Sequence, residues 1–133
     1  MKRASMIAFV LLVPAGVLGI LNAAQQPTLT QTEVLRGDLS IEGREVIQML
    51  NVIPPGGTSS GKHTHPGEEI AYVFEGSIRV EIDGQPPVVK NAGEAIIFPA
   101  GRPHFAVNVG TGTARAIATY IVEKGKPRTS FVK

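Results

Sequence analysis

Turn signals divide this chain into runs that suit strands and leave little room for helices. "PPGG", "HPG", "DGQPP", "NAGE", "PAGRP" and "GTGT" follow one another from residue 54 to residue 113, and 15 glycines and 10 prolines are spread over 133 residues. Glycine tolerates positive φ and proline fixes φ while removing a donor, so each cluster marks a place where a strand ends. Between the clusters lie nine strand candidates: Glu33–Leu39, Glu45–Ile53, His63–His65, Ile70–Phe74, Ser77–Ile82, Val88–Val89, Ala95–Phe98, His104–Val109 and Ala114–Glu123. In "SIRVEID", Ile78, Val80 and Ile82 alternate with Ser77, Arg79 and Glu81, the pattern of a half-buried strand. It runs into Asp83-Gly84, a pair suited to a tight hairpin turn. "FPAG" puts Pro99 second and Gly101 fourth in a type I turn. Many short strands without a useful helical period predict an antiparallel sandwich or barrel, and the length fits one domain with one core.

The first two dozen residues differ from the rest. Lys2 and Arg3 precede an apolar stretch, Met6–Leu21, followed by small residues at Ala23 and Ala24. A basic start, a short apolar segment and small residues form the pattern of a secretory signal peptide over residues 1–24. Pro14, Gly16 and Gly19 make it a poor membrane span. An uncleaved anchor is the alternative, because Leu21 or Asn22 sits where a small residue is preferred. The expected location is therefore periplasmic or secreted, with membrane contact only through an uncleaved leader. Residues 25–32 are expected to be a polar linker, 33–123 the folded domain, and 124–133 a basic, solvated tail.

Setting the leader aside changes the charge. Of 13 basic residues, Lys2 and Arg3 lie in a leader that holds no acid, which leaves 11 against 11 acidic residues. A near-neutral domain lacks the basic face that nucleic acid requires. Cysteine is absent, which excludes disulfides, thiolate metal sites and cysteine nucleophiles. "RGD" at Arg36–Asp38 is too short to carry information. The glycine-rich "GTGTAR" from Gly110 leads into a strand pattern, so it offers no helix N-terminus for phosphate and reads as a strand connection.

The chemistry lies in the histidines. The chain has three, all next to turn signals and all between His63 and His104. Residues two apart on a strand face one side, so His63 and His65 project together with Thr64 turned away. After the "PG" turn signal a returning strand can bring Glu69 across from them. Neutral imidazoles facing a carboxylate form a ready site for a divalent first-row metal.

Two longer patterns make the resemblance specific. "GTSSGKHTHPGEEIAYVFEG" has the spacing Gly57, His63, His65, Glu69, Gly76, and "GEAIIFPAGRPHFAVN" has Gly93, Pro99, Gly101, His104, Asn108. Together they resemble the two motifs of the cupins, in the right order, with the short inter-motif segment of small single-domain bacterial members. The resemblance implies a cupin or double-stranded β-helix fold, a jelly-roll-like antiparallel β-barrel. His63, His65, Glu69 and His104 would converge on one metal inside it. It selects Glu69 over Glu68 as the ligand, and it makes a homodimer the expected assembly.

Such a site would hold one divalent first-row transition metal, Mn, Fe, Ni, Cu or Zn. One carboxylate against a divalent ion leaves a net positive centre, with open positions for a small molecule. By strand parity, Ala71 and Val73 share a side with Glu69, and Ala106 and Asn108 with His104, lining a small apolar pocket. Tyr72, Phe74 and Phe105 fall on the opposite face, for packing or a partner subunit. Gln48, Asn51 and Tyr120 are further candidates for contact with the ligands or a substrate. The expected function is a metal-dependent small-molecule enzyme of dioxygenase or oxidoreductase type, with isomerase and lyase chemistry on the same scaffold. A non-catalytic periplasmic ligand-binding or sensory module is the alternative.

Overall fold

The computed structural model describes residues 28–59 and 61–133. Ten strands form in chain order: β1 Thr30–Asp38, β2 Arg44–Ile53, β3 His63–Thr64, β4 Gly67–Glu75, β5 Ser77–Ile82, β6 Val88–Asn91, β7 Ala95–Phe98, β8 His104–Asn108, β9 Ala114–Glu123 and β10 Ser130–Phe131. They build two five-stranded antiparallel sheets, ordered β1-β2-β9-β4-β7 and β10-β3-β8-β5-β6. The expected leader lies outside the described residues.

Alternation produces both sheets. In β9 the inward residues are Ala114, Ala116, Ala118, Tyr120 and Val122, all buried. In β5 they are Ile78, Val80 and Ile82. These faces meet to form the core, with Ile53, Val73 and Phe98 contributing from β2, β4 and β7. A second apolar group, Ile47, Met49, Ala118, Tyr120 and Val122, fills the far end of β2 and β9. Several inward positions carry only a methyl group, among them Ala71, Ala106 and Ala116, and this keeps the interior open beside the histidines.

The boundaries correct the sequence reading in five places. Residues 30–32 of the expected linker belong to β1, which pairs with β2 from Thr30 to Asp38. β1 is a sheet edge with almost every side chain exposed, so its backbone pairing leaves no hydrophobic alternation to read. Gly67 is not part of a turn; it opens β4 opposite Val122. A Cβ there would lie 2.0 Å from the Ile121 carbonyl oxygen, so glycine is present for close approach of two backbones. The Pro99 turn is closed by a hydrogen bond from the Arg102 N–H to the Pro99 carbonyl. Gly101 therefore stands third, at φ +67°, the sign that a type II turn needs. Likewise Gln85 N–H donates to the Ile82 carbonyl around Asp83-Gly84, but β5 and β6 are joined by residues 83–87, a longer loop than a two-residue hairpin.

The tail is the fifth correction. Ser130 and Phe131 pair with Thr64 and His63 as β10, which makes this segment a wall of the domain. Two residues of strand inside a basic, proline-containing stretch give no period from which to infer it.

Candidate metal centre

The two sheets bring the four predicted residues together. His63 lies on β3 and is paired across the ladder with His104, the first residue of β8. His65 follows β3, and Glu69 comes from β4 in the opposite sheet, where it faces Tyr120 and Phe98. One ligating atom from each of the four lies within 4.8 Å of the others, and all four side chains are buried. Glu68 points outward and is exposed, which separates the adjacent glutamates as expected.

Each imidazole is locked by its far nitrogen. His63 Nδ1 donates to the Gly61 carbonyl at 2.6 Å, His65 Nδ1 to that of Arg128 at 2.6 Å, and His104 Nδ1 to that of Arg102 at 2.8 Å. A proton on Nδ1 leaves the Nε2 lone pair directed at the cluster, the form in which imidazole ligates a metal. Glu69 Oε2 lies 3.0 Å from His65 Nε2 and 3.2 Å from His104 Nε2. His65 Nε2 makes no well-aligned hydrogen bond and is shut off from solvent. A buried nitrogen left in that state requires a partner. Three inward lone pairs, one of them on an orphaned nitrogen, and a carboxylate fit a divalent cation.

Electrostatics agree. Burial pushes Glu69 toward the neutral acid, but the facing rings of His104 and His65 outweigh it and hold the carboxyl at about 2. Burial lowers the pKa of His63, with the neighbouring rings His104 and His65 adding to the effect, so it is neutral near pH 7. Burial, followed by the negative charge of Glu69, raises Tyr120 above its ordinary range and keeps its hydroxyl a donor.

Beside the cluster opens a cavity of about 200 Å³. Ala71 and Ala106 line it, as parity predicts. Val73 is instead packed into the core, and Asn108 braces the loop between β8 and β9. Its Nδ2 donates to the Ile53 and Gly112 carbonyls at 2.8 Å each, and its Oδ1 accepts from the Gly110 N–H at 2.9 Å. Asn51 and Tyr120 also reach the cavity. Gln48 turns away, to Thr119 Oγ1 at 3.1 Å. Tyr72 and Phe74 are exposed on the outer face. Sequence reasoning missed Phe98, whose ring centroid is 4.4 Å from that of His104, and also Gln31, Arg128 and Phe131. Phe98 was legible only as a strand residue. The other three lie in segments read as linker and tail.

Comparison with known proteins agrees with this geometry. The family model described as a cupin domain matches residues 49–120, more than half of the chain. Germin-like protein subfamily 3 member 1 of Arabidopsis thaliana is 31% identical over 113 residues, 80% of this chain and 51% of that protein. The HTH-type transcriptional regulator PuuR of Escherichia coli is 32% identical over 77 residues, 58% of this chain and 41% of that protein. The chain thus spans about half the length of the curated relatives it matches, or less. Among solved structures, a recombinant oxalate oxidase in complex with glycolate superposes with a TM-score of 0.64 at 29% identity, covering 77% of this chain and 54% of that one. With its double-sheet barrel and this match, the chain belongs to the cupin family.

Proposed function

We propose that this chain is a metal-dependent oxidoreductase of small-molecule chemistry, in which His63, His65, Glu69 and His104 hold one divalent first-row transition metal. One observation carries the reading: three buried imidazoles, each with Nδ1 donated to a main-chain carbonyl, direct Nε2 at the carboxylate of Glu69. A bound ion would supply Lewis-acid or redox chemistry to oxygen atoms of a small substrate. Imidazole and carboxylate donors suit Mn, Fe, Ni, Cu and Zn alike, so availability decides among them.

The chain's own residues set substrate size and environment. A cavity of about 200 Å³ lies below the roughly 300–1,000 Å³ typical of drug-sized ligands, so the substrate is a molecule of few heavy atoms. Phe98 and the alanines give it apolar walls, and the Tyr120 hydroxyl offers a donor. Likeness to an oxalate oxidase in complex with glycolate supports oxidation of a small organic acid. We further propose that the protein is exported and acts as a homodimer.

Likeness to the regulator PuuR favours a second reading, a non-catalytic sensory module that uses the same cavity to hold a ligand. Oxygen uptake and product analysis distinguish the two. The metal-loaded protein is screened with oxalate, glycolate, other organic acids, catechols, flavonols and β-diketones. Turnover of any of them supports the enzyme. A metal-loaded protein that binds one of them and leaves it unaltered, with the rest inert, supports the sensor.

A further inference from the structure

We infer that Arg128 is the anion-binding residue of the cavity, and that the small molecule held beside the histidine cluster is a carboxylate. The inference rests on the metal-dependent reading above and names the substrate class for that site.

Arg128 comes from the tail segment just before β10 and lines the cavity. Its Nη1 is shielded from solvent and has no hydrogen-bond partner among the described residues. A guanidinium nitrogen buried without an acceptor is costly, and its placement is explained when a ligand supplies the acceptor. The rest of the side chain is tethered. Nη2 donates to Gln31 Oε1 at 3.1 Å, and Gln31 Nε2 donates in turn to Asn51 Oδ1 at 2.9 Å. Its Cζ lies 4.8 Å from the centroid of the Tyr120 ring, and that ring meets His65 at 4.7 Å. One phenol ring therefore separates the guanidinium from the histidine cluster, and hydrogen bonds and cation–π contact fix its orientation.

Charge points to the same ligand class. Among the described residues, Glu69 is the only acid that lines the cavity, and it belongs to the cluster. With a divalent ion in place, one carboxylate faces an ion and a guanidinium, so the interior is net positive. Of the other tail cations, Lys124 pairs with Asp38 and Lys126 with Glu123 on the surface, and Lys133 is exposed and outside the cavity lining. Arg128 is thus the tail cation held ready for a ligand, and a guanidinium fork matches a carboxylate.

The test is calorimetric titration of full-length protein reconstituted with Mn, using glycolate and its neutral counterpart glycolamide. Wild type is expected to prefer glycolate. Arg128→Gln should weaken glycolate binding about 10- to 100-fold while leaving glycolamide binding unchanged. Its metal content should stay at the wild-type level, because the contact to His65 Nδ1 comes from the main chain of residue 128. Arg128→Lys, which keeps the charge, should recover part of the loss, and it replaces the Gln variant as the test if thermal melting shows that variant unfolded. Wild-type-like glycolate binding in a neutral variant overturns the inference. So do equal losses for both probes, or a wild type that takes up Mn and does not favour glycolate. A wild type that takes up no metal in the same samples overturns the underlying reading instead.

Discussion

The four candidate ligands differ in how they were legible. His63 and His65 follow from strand parity alone, and Glu69 from the return of the chain after "PG"; His104 lies across the ladder from His63, a neighbour relation that no local pattern contains. The second motif supplied it. Arg128 was not legible at all, because its value comes from where the tail docks. The residue-scale prediction follows from burial. His104→Ala removes a buried ligand and should lower metal affinity by more than about 100-fold, beyond what loss of an outer partner costs, whereas exposed Glu68→Ala should leave it near wild type. Competition with a chelating dye measures both, and equal losses would mean that the wrong glutamate has been assigned. The same titration repeated at lower pH has a fixed sign. An imidazole must shed its proton to ligate, and burial holds His63 neutral to below the ordinary histidine range, so affinity should fall only as pH drops beneath about 6.5.

At the scale of elements, β5, β7 and β9 begin and end where the alternation and turn residues place them. The first three residues of β1 and all of β10 escaped notice because edge strands are held by backbone pairing, which leaves no mark on side-chain order. Gly67 was assigned to a turn because glycine after proline signals one. Its true role is a close crossing of β4 and β9, visible only once both backbones are placed. Gly67→Ala should therefore destabilise the fold by about 3 kcal/mol in chemical denaturation, the upper end for overpacking. Gly112→Ala meets nothing within 4 Å and should stay close to wild type. Truncation after Pro127 removes β10 and the carbonyl that accepts from His65 Nδ1. It should cost about 10- to 100-fold in metal affinity, the effect of losing a partner that orients a ligand.

For the whole molecule, the outer face of β4 and β7 carries an apolar patch that the domain does not cover. Ile70 pairs with Ile97 and Tyr72 lies beside Ile117 across the ladders, with Ile70, Tyr72 and Ile97 exposed by 40, 47 and 58%. An exposed contiguous patch of this kind suits the proposed homodimer. Light scattering should show a dimer that becomes a monomer in Tyr72→Lys with Ile97→Lys, and a wild-type monomer at high concentration would remove the proposal. The central claim, that this barrel is built around a metal, is tested most directly by elemental analysis of untagged protein after reconstitution with Mn, Fe, Ni, Cu or Zn. About one ion per chain is expected in wild type, and far less in a variant carrying both His63→Ala and His104→Ala. Wild type well below one ion per chain with every metal offered would contradict it.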